Sequence, residues 1–139
     1  MVIGWIPGAR ALGRYVLRVW VLGLDHVQLA APPGCEPAAR RFFGELLGLE
    51  ELSKPAALAS RGGVWFSLGE QQLHIGVERE FAPARKAHPA FRVDSQRLDP
   101  LAERLRAEGA EVEWAPEGRR FFTQDPWGNR IELTARGPG

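Results

Sequence analysis

From residue 24 onward, short stretches of alternating apolar and polar residues are interrupted by amphipathic helical stretches, and this order recurs. Period-two alternation is typical of strands, because successive side chains face opposite sides of a sheet. In the first half it predicts strands at 24–30, 49–52, 64–68 and 71–77. Apolar residues at three- and four-residue spacing predict a helix that begins near Pro37 and ends at Gly48.

The second half of the chain repeats the order of the first. It contains predicted strands at 88–93, 111–114, 120–123 and 130–134. A helix opened by Pro100 ends at Gly109, which lies 61 positions after Gly48. Because equivalent landmarks keep nearly constant offsets, the sequence predicts an α+β fold made of two β-α-β-β-β modules.

The pattern divides the chain into an N-terminal extension, 1–22, and one domain, 23–136, with modules at 24–77 and 88–134. The extension is apolar and basic, but its longest apolar stretch is far shorter than the roughly 20 residues of a membrane span. Its arginines are interspersed rather than placed ahead of the apolar run, unlike those of a signal peptide. A docked strand or helix at a subunit contact and a misassigned start upstream of the domain both stay open.

Composition limits the classes of function. The 139 residues are 45% hydrophobic and 25% charged, which is typical of a single globular domain. With 18 basic and 17 acidic residues the net charge is +1, so we expect neither nucleic acid nor a membrane as partner. The single cysteine, Cys35, excludes an intrachain disulfide and favours a reducing, cytoplasmic location.

Candidate chemistry lies on the polar faces of four predicted strands. The three histidines of the chain and one late glutamate are His26, His74, His88 and Glu132. In each strand the apolar neighbours take the face toward the helices, so these four side chains share the other face. Two imidazoles and a carboxylate suit a borderline divalent metal and leave open positions for substrate. Two ligands from each module would place the metal at a pseudo-twofold axis.

Each of these residues also has an ordinary structural interpretation. A single strand histidine is usually a surface or hydrogen-bonded residue, and Glu132 could pair with Arg92 or Arg130. The joint pattern favours metal binding by His26, His88 and Glu132. For His74, metal ligation and a plain role in lining the pocket both stay open.

Several segments together resemble the vicinal oxygen chelate superfamily of glyoxalases, extradiol dioxygenases, fosfomycin-inactivating transferases and bleomycin-binding proteins. They are Asp25-His26-Val27, the helix end 43–49, the strand start 88–93 and the closing 125–132. The resemblance covers about residues 22–135. It implies paired modules whose curved sheets form a half-barrel around a pocket, often in a homodimer. It also implies metal ligands at His26, His88 and Glu132.

The fourth-strand position departs from one subgroup of that superfamily. Glyoxalase I-like members carry a glutamate there that binds metal and serves as the base, whereas this chain has His74. A histidine with a pKa near 6.5 could still ligate or accept a proton. The substitution argues against lactoylglutathione isomerisation, and dioxygenase-like members use only the His-His-Glu set. The arginine–tyrosine signature expected for fosfomycin chemistry is not found.

The resulting hypothesis is an enzyme with one divalent ion, iron, nickel, zinc, manganese or cobalt, that acts on a small oxygen-chelating substrate. It would be a lyase, isomerase or dioxygenase in which the metal is a Lewis acid. His74 and Glu132 are the candidate catalytic residues. The candidate substrate-binding residues are Gln28, Gln72, Arg92, Trp65 and Phe122.

Two rival hypotheses remain. One is a metal-free protein of the same fold that sequesters a planar, drug-like molecule between subunits, as in bleomycin resistance; the five tryptophans are compatible with it. The other is a regulatory domain that keeps the fold and has lost turnover. Metal content separates the enzyme from the binding protein, and activity on a substrate panel separates it from the regulatory domain.

Overall fold

The computed structural model describes residues 18–136, and within this range the chain forms two four-stranded sheets and two main helices. The elements of the first module are β1 (His26–Ala31), α1 (an α-helical turn, Glu36–Ala39, continued by π-helical Arg40–Leu46), β2 (Glu51–Leu52), a 3-10 helix (Ala56–Arg61), β3 (Val64–Leu68) and β4 (Gln71–Val77). Those of the second are β5 (Ala90–Asp94), α2 (Leu98–Ala107), β6 (Glu113–Trp114), β7 (Arg120–Gln124) and β8 (Arg130–Arg136).

The two sheets have the same topology. Their strand orders are β1-β4-β3-β2 and β5-β8-β7-β6, and the first strand of each module pairs in parallel with the last. The remaining pairs are antiparallel. The predicted α+β fold of two β-α-β-β-β modules is therefore confirmed, with curved sheets that do not close into a barrel.

Some predicted boundaries were wrong. β2 and β6 are only two residues long, and β5 begins at Ala90, so His88 lies in the segment before the strand rather than within it. The π-helical stretch and the 3-10 helix had no counterpart in the sequence pattern. Of the predicted extension 1–22, residues 1–17 lie outside the described residues, and 18–22 are in neither helix nor strand. No helix among residues 18–136 is long and apolar enough to cross a membrane.

One apolar core joins the modules. Phe43 and Phe66 from the first module and Phe121 from the second are fully buried in the same cluster. The helices contact each other at its edge, where Arg104 Nη2 donates to the Glu45 carbonyl oxygen at 3.0 Å. The apolar strand faces and both helices thus occupy one side of each sheet, and the polar strand faces are left on the other.

Cys35 and Gly63 show how tightly the first module is packed. Cys35, just before α1, is 2% exposed, and burial together with the nearby Glu36 carboxylate raises the pKa of its thiol. Gly63, just before β3, has φ of +85°, and a Cβ atom there would lie 2.1 Å from the Ile75 carbonyl oxygen. Its backbone N–H donates to Glu36 Oε1 at 3.2 Å.

Candidate functional site

His26 and His74 lie side by side on the polar face of the first sheet. β1 and β4 pair in parallel with His26 opposite Gln72, so His74 lies diagonally across from His26 on the same face. The two imidazoles stack with centroids 4.3 Å apart and an angle of 18° between their planes. His26 Nδ1 donates to Asp25 Oδ2 at 2.8 Å, which leaves its Nε2 lone pair available as a metal ligand. Asp25 was not among the predicted site residues, although a carboxylate adjacent to a candidate histidine ligand is a usable signal in the sequence.

His74 is the middle ring of a three-ring stack. Its other face lies parallel to the Trp65 indole, at 3.8 Å and 1°. Its Nε2 donates to Gln72 Oε1 at 2.8 Å, and the side chain is buried. Burial lowers the pKa of His74, helped by repulsion from His26 and opposed by Asp25, so the ring is neutral. Because a metal lies in the plane of an imidazole that binds it, two rings stacked this way do not aim at one ion.

The depressed pKa of His74 predicts how the stability of the metal-free protein depends on pH. The folded-state pKa lies below the value of 6.5 expected for the unfolded chain. The contribution of His74 to the free energy of unfolding is therefore complete above pH 6.5. It decreases as the pH falls from 6.5 to the folded-state pKa, because in this interval the unfolded state binds a proton that the folded state does not. Urea unfolding in the presence of a chelator, above and below pH 6.5, measures this loss.

His74→Phe is the matched variant for this prediction, because it keeps an aromatic ring in the stack and removes the titrating group. We expect its free energy of unfolding to change less across the same pH interval than that of the wild type. Equal pH dependence in both proteins would show that other groups cause the effect.

Gln28 and Gly76 complete this face. The Gln28 carboxamide lies flat over Gly76 of β4, so that a Cβ atom at position 76 would be 2.7 Å from Gln28 Cδ and Nε2. Glycine at this position therefore lets the amide of Gln28 reach across the sheet beside His74. Gln28 was among the predicted site residues and Gly76 was not, because the close approach depends on the register of β1 against β4.

His88 and Glu132 form a second pair, on the polar face of the second sheet. His88 Nδ1 donates to the Lys86 carbonyl oxygen at 2.8 Å, and His88 Nε2 lies 3.3 Å from Glu132 Oε1. Glu132 is the better covered of the two, with 13% of its side chain exposed against 27% for His88. With Nδ1–H engaged, a neutral His88 directs a lone pair at the carboxylate, an arrangement that a proton or a metal cation between them would stabilise.

A cluster of cationic and aromatic groups surrounds Glu132. Arg120 Nη1 lies 3.3 Å from Glu132 Oε1, and the Arg130 guanidinium lies 4.1 Å from the Phe122 ring centroid. His88 approaches the same ring edge-on, with centroids 5.5 Å apart. Phe122 was among the predicted site residues and Arg120 was not, although Arg120 lies two positions before Phe122 on the same strand face.

The structure thus sorts the candidate residues into two half-sites. The first half-site contains His26, His74, Gln28, Gln72 and Trp65, and the second contains His88, Glu132, Phe122 and, by register, Arg92. Within residues 18–136 no three histidine, cysteine or acidic side chains are grouped so that they could hold a metal ion. The four candidate ligands therefore do not converge within the described part of one chain.

A separate cavity of about 700 Å³ lies between the end of α1 and α2. Its wall is mostly apolar, with contributions from Leu46, Leu49, Phe91 and Leu101, and none of the histidines lines it. Arg92 borders this cavity as well, because β5 is the edge strand of its sheet. The cavity lies on the core side of the sheets, and Arg92 is the one half-site residue that lines it.

Comparison with known proteins identifies one matching family and several solved structures with the same fold. Residues 35–134 match the glyoxalase-like domain family. A protein assigned to the glyoxalase family from Bacillus anthracis is 47% identical over 86% of this chain and 99% of its own, with a TM-score of 0.78. No curated protein matches the chain.

Two further solved structures are more distant. A glyoxalase/dioxygenase from Nostoc punctiforme is 26% identical, covers 84% of this chain and 92% of its own, and has a TM-score of 0.69. The lactoylglutathione lyase from Agrobacterium tumefaciens is 24% identical, covers 84% and 96%, and has a TM-score of 0.63, a likeness of fold alone.

Proposed function

The chain belongs to the glyoxalase-like domain family of the vicinal oxygen chelate superfamily, and from this premise we propose that it is a divalent-metal-dependent enzyme acting on a small oxygen-chelating substrate. Lyase, isomerase and dioxygenase reactions are the classes that fit. The protein would work in the cytoplasm as a homodimer. The single observation that carries the proposal is the His88–Glu132 pair, whose Nε2 and Oε1 atoms face each other at 3.3 Å while Nδ1 is held by Lys86.

The donor set fits a borderline transition metal. His88 and His26 each have Nδ1 anchored, by a carbonyl and a carboxylate oxygen respectively, and each presents Nε2. Glu132 adds an oxygen, which completes a two-histidine, one-carboxylate set with open positions. A divalent ion held there would supply Lewis acidity to adjacent oxygens of the substrate.

We propose that two chains build each site, the first half-site of one chain facing the second half-site of the other. The separation of the half-sites within one chain supports this, since His26 would find His88 and Glu132 only on a partner. Exposed apolar residues precede β1 and would be covered by such a contact: Trp20, Val21, Leu22 and Leu24.

The remaining residues of the half-sites would bind and orient the substrate. Gln28 and Gln72 offer amide donors and acceptors on one side, with Trp65 as an apolar wall. For His74 the role of proton acceptor fits better than that of a fourth ligand, because its ring stacks on that of His26. Its neutral ring and the Nδ1 left free by the Gln72 contact suit proton acceptance, and Glu132 is the other candidate base.

Metal content tests the proposal directly. We expect elemental mass spectrometry of tag-free protein to find about one equivalent of a transition metal per chain, since each closed site holds one ion. The His26→Ala/Glu132→Ala double variant should lose it, whereas Glu103→Gln, which changes an exposed carboxylate of α2, should retain it. Iron would direct assays toward dioxygenation, and nickel or zinc toward isomerase or lyase chemistry.

The opposite result has a clear meaning. A wild-type protein that takes up no metal after reconstitution with each candidate ion would contradict the proposal. The metal-free binding protein would then become the leading hypothesis, and binding of planar ligands to the Trp65 face would be the next measurement.

A further inference from the structure

We propose that the cavity between α1 and α2 is a second binding site, which takes an aliphatic chain that ends in an anionic group, a carboxylate or a phosphate. The chain would lie against the apolar wall of the cavity, and the anionic group would contact the guanidinium groups of Arg97 and Arg104. The site is separate from the two half-sites and does not depend on the proposed metal. It is carried by the size and wall of the cavity and by the charge of the side chains around it.

The cavity lies where the end of the first helix turns away from the second. α1 ends at Leu46, and the Leu49 N–H then donates to the Phe43 carbonyl oxygen at 2.9 Å, so residues 46–49 line one side of the cavity. α2 lines the other side with one face, on which Arg97, Leu101 and Arg104 follow each other at helical spacing. The two modules thus leave a space that their own side chains do not fill.

The wall of this space suits an aliphatic chain. Its volume of about 700 Å³ is within the range of about 300–1,000 Å³ that is typical of small-molecule sites. Several apolar side chains of the wall are only half-buried and would lose contact with water when a chain binds. These half-buried residues are Leu47, Leu49, Leu68, Val93 and Leu101.

The charged side chains that line the cavity are mostly cationic. They are Arg92, Arg97 and Arg104, against the single carboxylate of Asp94. Asp94 Oδ1 already accepts the Gln96 N–H at 2.8 Å. In the described part of the chain, none of the three arginines forms a salt bridge. The excess of positive charge favours a ligand with an anionic group.

α2 places two of these arginines next to the apolar wall. Arg97 and Arg104 lie about one helical turn before and after Leu101, about 5–6 Å along the helix axis, which is within the length of an arginine side chain. Arg104 Nη2 donates to the Glu45 carbonyl oxygen at 3.0 Å, which holds this guanidinium at the junction of the two helices. A ligand whose chain covers Leu101 would therefore have its anionic end within reach of either guanidinium.

The same charges argue against two other occupants of the cavity. A twofold contact between two copies of the chain at this place would bring the three arginines of one copy against those of the other. The N-terminal residues 1–17 contain Arg10 and Arg14 and no acidic residue, so this segment does not complement the cavity either. A small amphipathic anion fits both the wall and the charge.

Calorimetric titration of metal-free protein with hexanoate, octanoate and decanoate, below their micelle concentrations, tests the inference. We expect saturable binding whose dissociation constant falls about threefold for each added methylene group, because each group covers more of the apolar wall. Octanol, which has no charge, should bind more weakly than octanoate. Octyl phosphate, titrated in parallel, identifies the preferred anionic group. The inference is overturned if none of the anions binds or if octanol binds as tightly as octanoate.

Substitutions on α2 localise the anionic group. Arg97→Gln and Arg104→Gln should each raise the dissociation constant of octanoate by about threefold, since each removes one exposed charge partner. Arg97→Gln is the cleaner variant, because Arg104 also contacts the first module. Arg106→Gln is the matched control: Arg106 is an exposed residue of the same helix that does not line the cavity. Unchanged binding in both test variants, or an equal rise in Arg106→Gln, contradicts the assignment.

The half-site variant separates the cavity from the proposed metal site. We expect His26→Ala/Glu132→Ala to bind octanoate with the wild-type dissociation constant, because neither residue lines the cavity. Loss of binding in this variant would place the ligand in the half-sites and overturn the inference. Sedimentation of the wild type with and without octanoate tests a second copy as the occupant, and dissociation of a dimer by octanoate would assign the cavity to that contact instead. Metal content decides the proposed function and is independent of both results.

Discussion

A mixture of His26→Ala and Glu132→Ala chains is expected to regain about a quarter of the wild-type metal content, although each variant alone loses it. His26 belongs to the first half-site and Glu132 to the second, and within residues 18–136 they are not part of any group of three potential metal ligands. If a site combines half-sites of two chains, a mixed dimer has one site with both residues intact and one with neither. Random exchange makes half of the dimers mixed, and half of the sites in those dimers are intact. About a quarter of all sites can therefore bind metal.

The matched control mixes His88→Ala with Glu132→Ala. Both substitutions fall in the second half-site, where the two side chains face each other at 3.3 Å, so no mixed dimer contains an intact site and no metal should return. The measurement is elemental analysis after the mixed chains have been unfolded, refolded together and exposed to metal. Recovery in neither mixture, with a metal-loaded wild type, would mean that the site is completed within one chain.

Gly63→Ala is expected to lower the free energy of unfolding by at least about 3 kcal/mol, or to prevent folding. Position 63 has φ of +85°, which disfavours any residue with a Cβ atom, and that atom would lie 2.1 Å from the Ile75 carbonyl oxygen. Ile75 pairs with Val64 in the ladder between β3 and β4, so the backbone has little freedom to retreat. Urea unfolding followed by circular dichroism measures the change.

Gly118→Ala separates the two causes. Gly118 has a similar φ of +72°, but a Cβ atom there would meet nothing within 4 Å. This variant should therefore show only the cost of the left-handed conformation, about 1–2 kcal/mol. Equal losses in the two variants would show that the contact with Ile75 is relieved by a small backbone shift.

Much of the fold could be predicted because the helices and strands of each module are visible in local patterns of apolar and polar residues. Alternation in 71–77 and 130–134 identified the last strand of each module and the face that carries His74 and Glu132. The order of the elements along the chain does not by itself specify which strands pair. The parallel pairing of β1 with β4 and of β5 with β8 is seen only in the structure. The sequence thus predicted which face each candidate occupies more reliably than which neighbour it contacts.

The contacts of the site depend on register and on the ends of strands, which local patterns do not specify. The stack of His26, His74 and Trp65 requires three strands in a fixed alignment. The hydrogen bond of His88 to Lys86 requires His88 to lie before β5 rather than in it. The assignments of metal ligands, catalytic residues and substrate-binding residues remain predictions that the experiments above test.

Reaction of the buried Cys35 thiol with a reagent can measure how often the first module opens. Because the side chain is 2% exposed and its pKa is raised, a thiol reagent reacts with it only in molecules whose first module has opened. The labelling rate under native conditions therefore counts rare open molecules without any denaturant. A ligand that binds both half-sites would stabilise the closed state and slow this reaction. The single cysteine therefore provides a kinetic assay for binding even before a substrate is known.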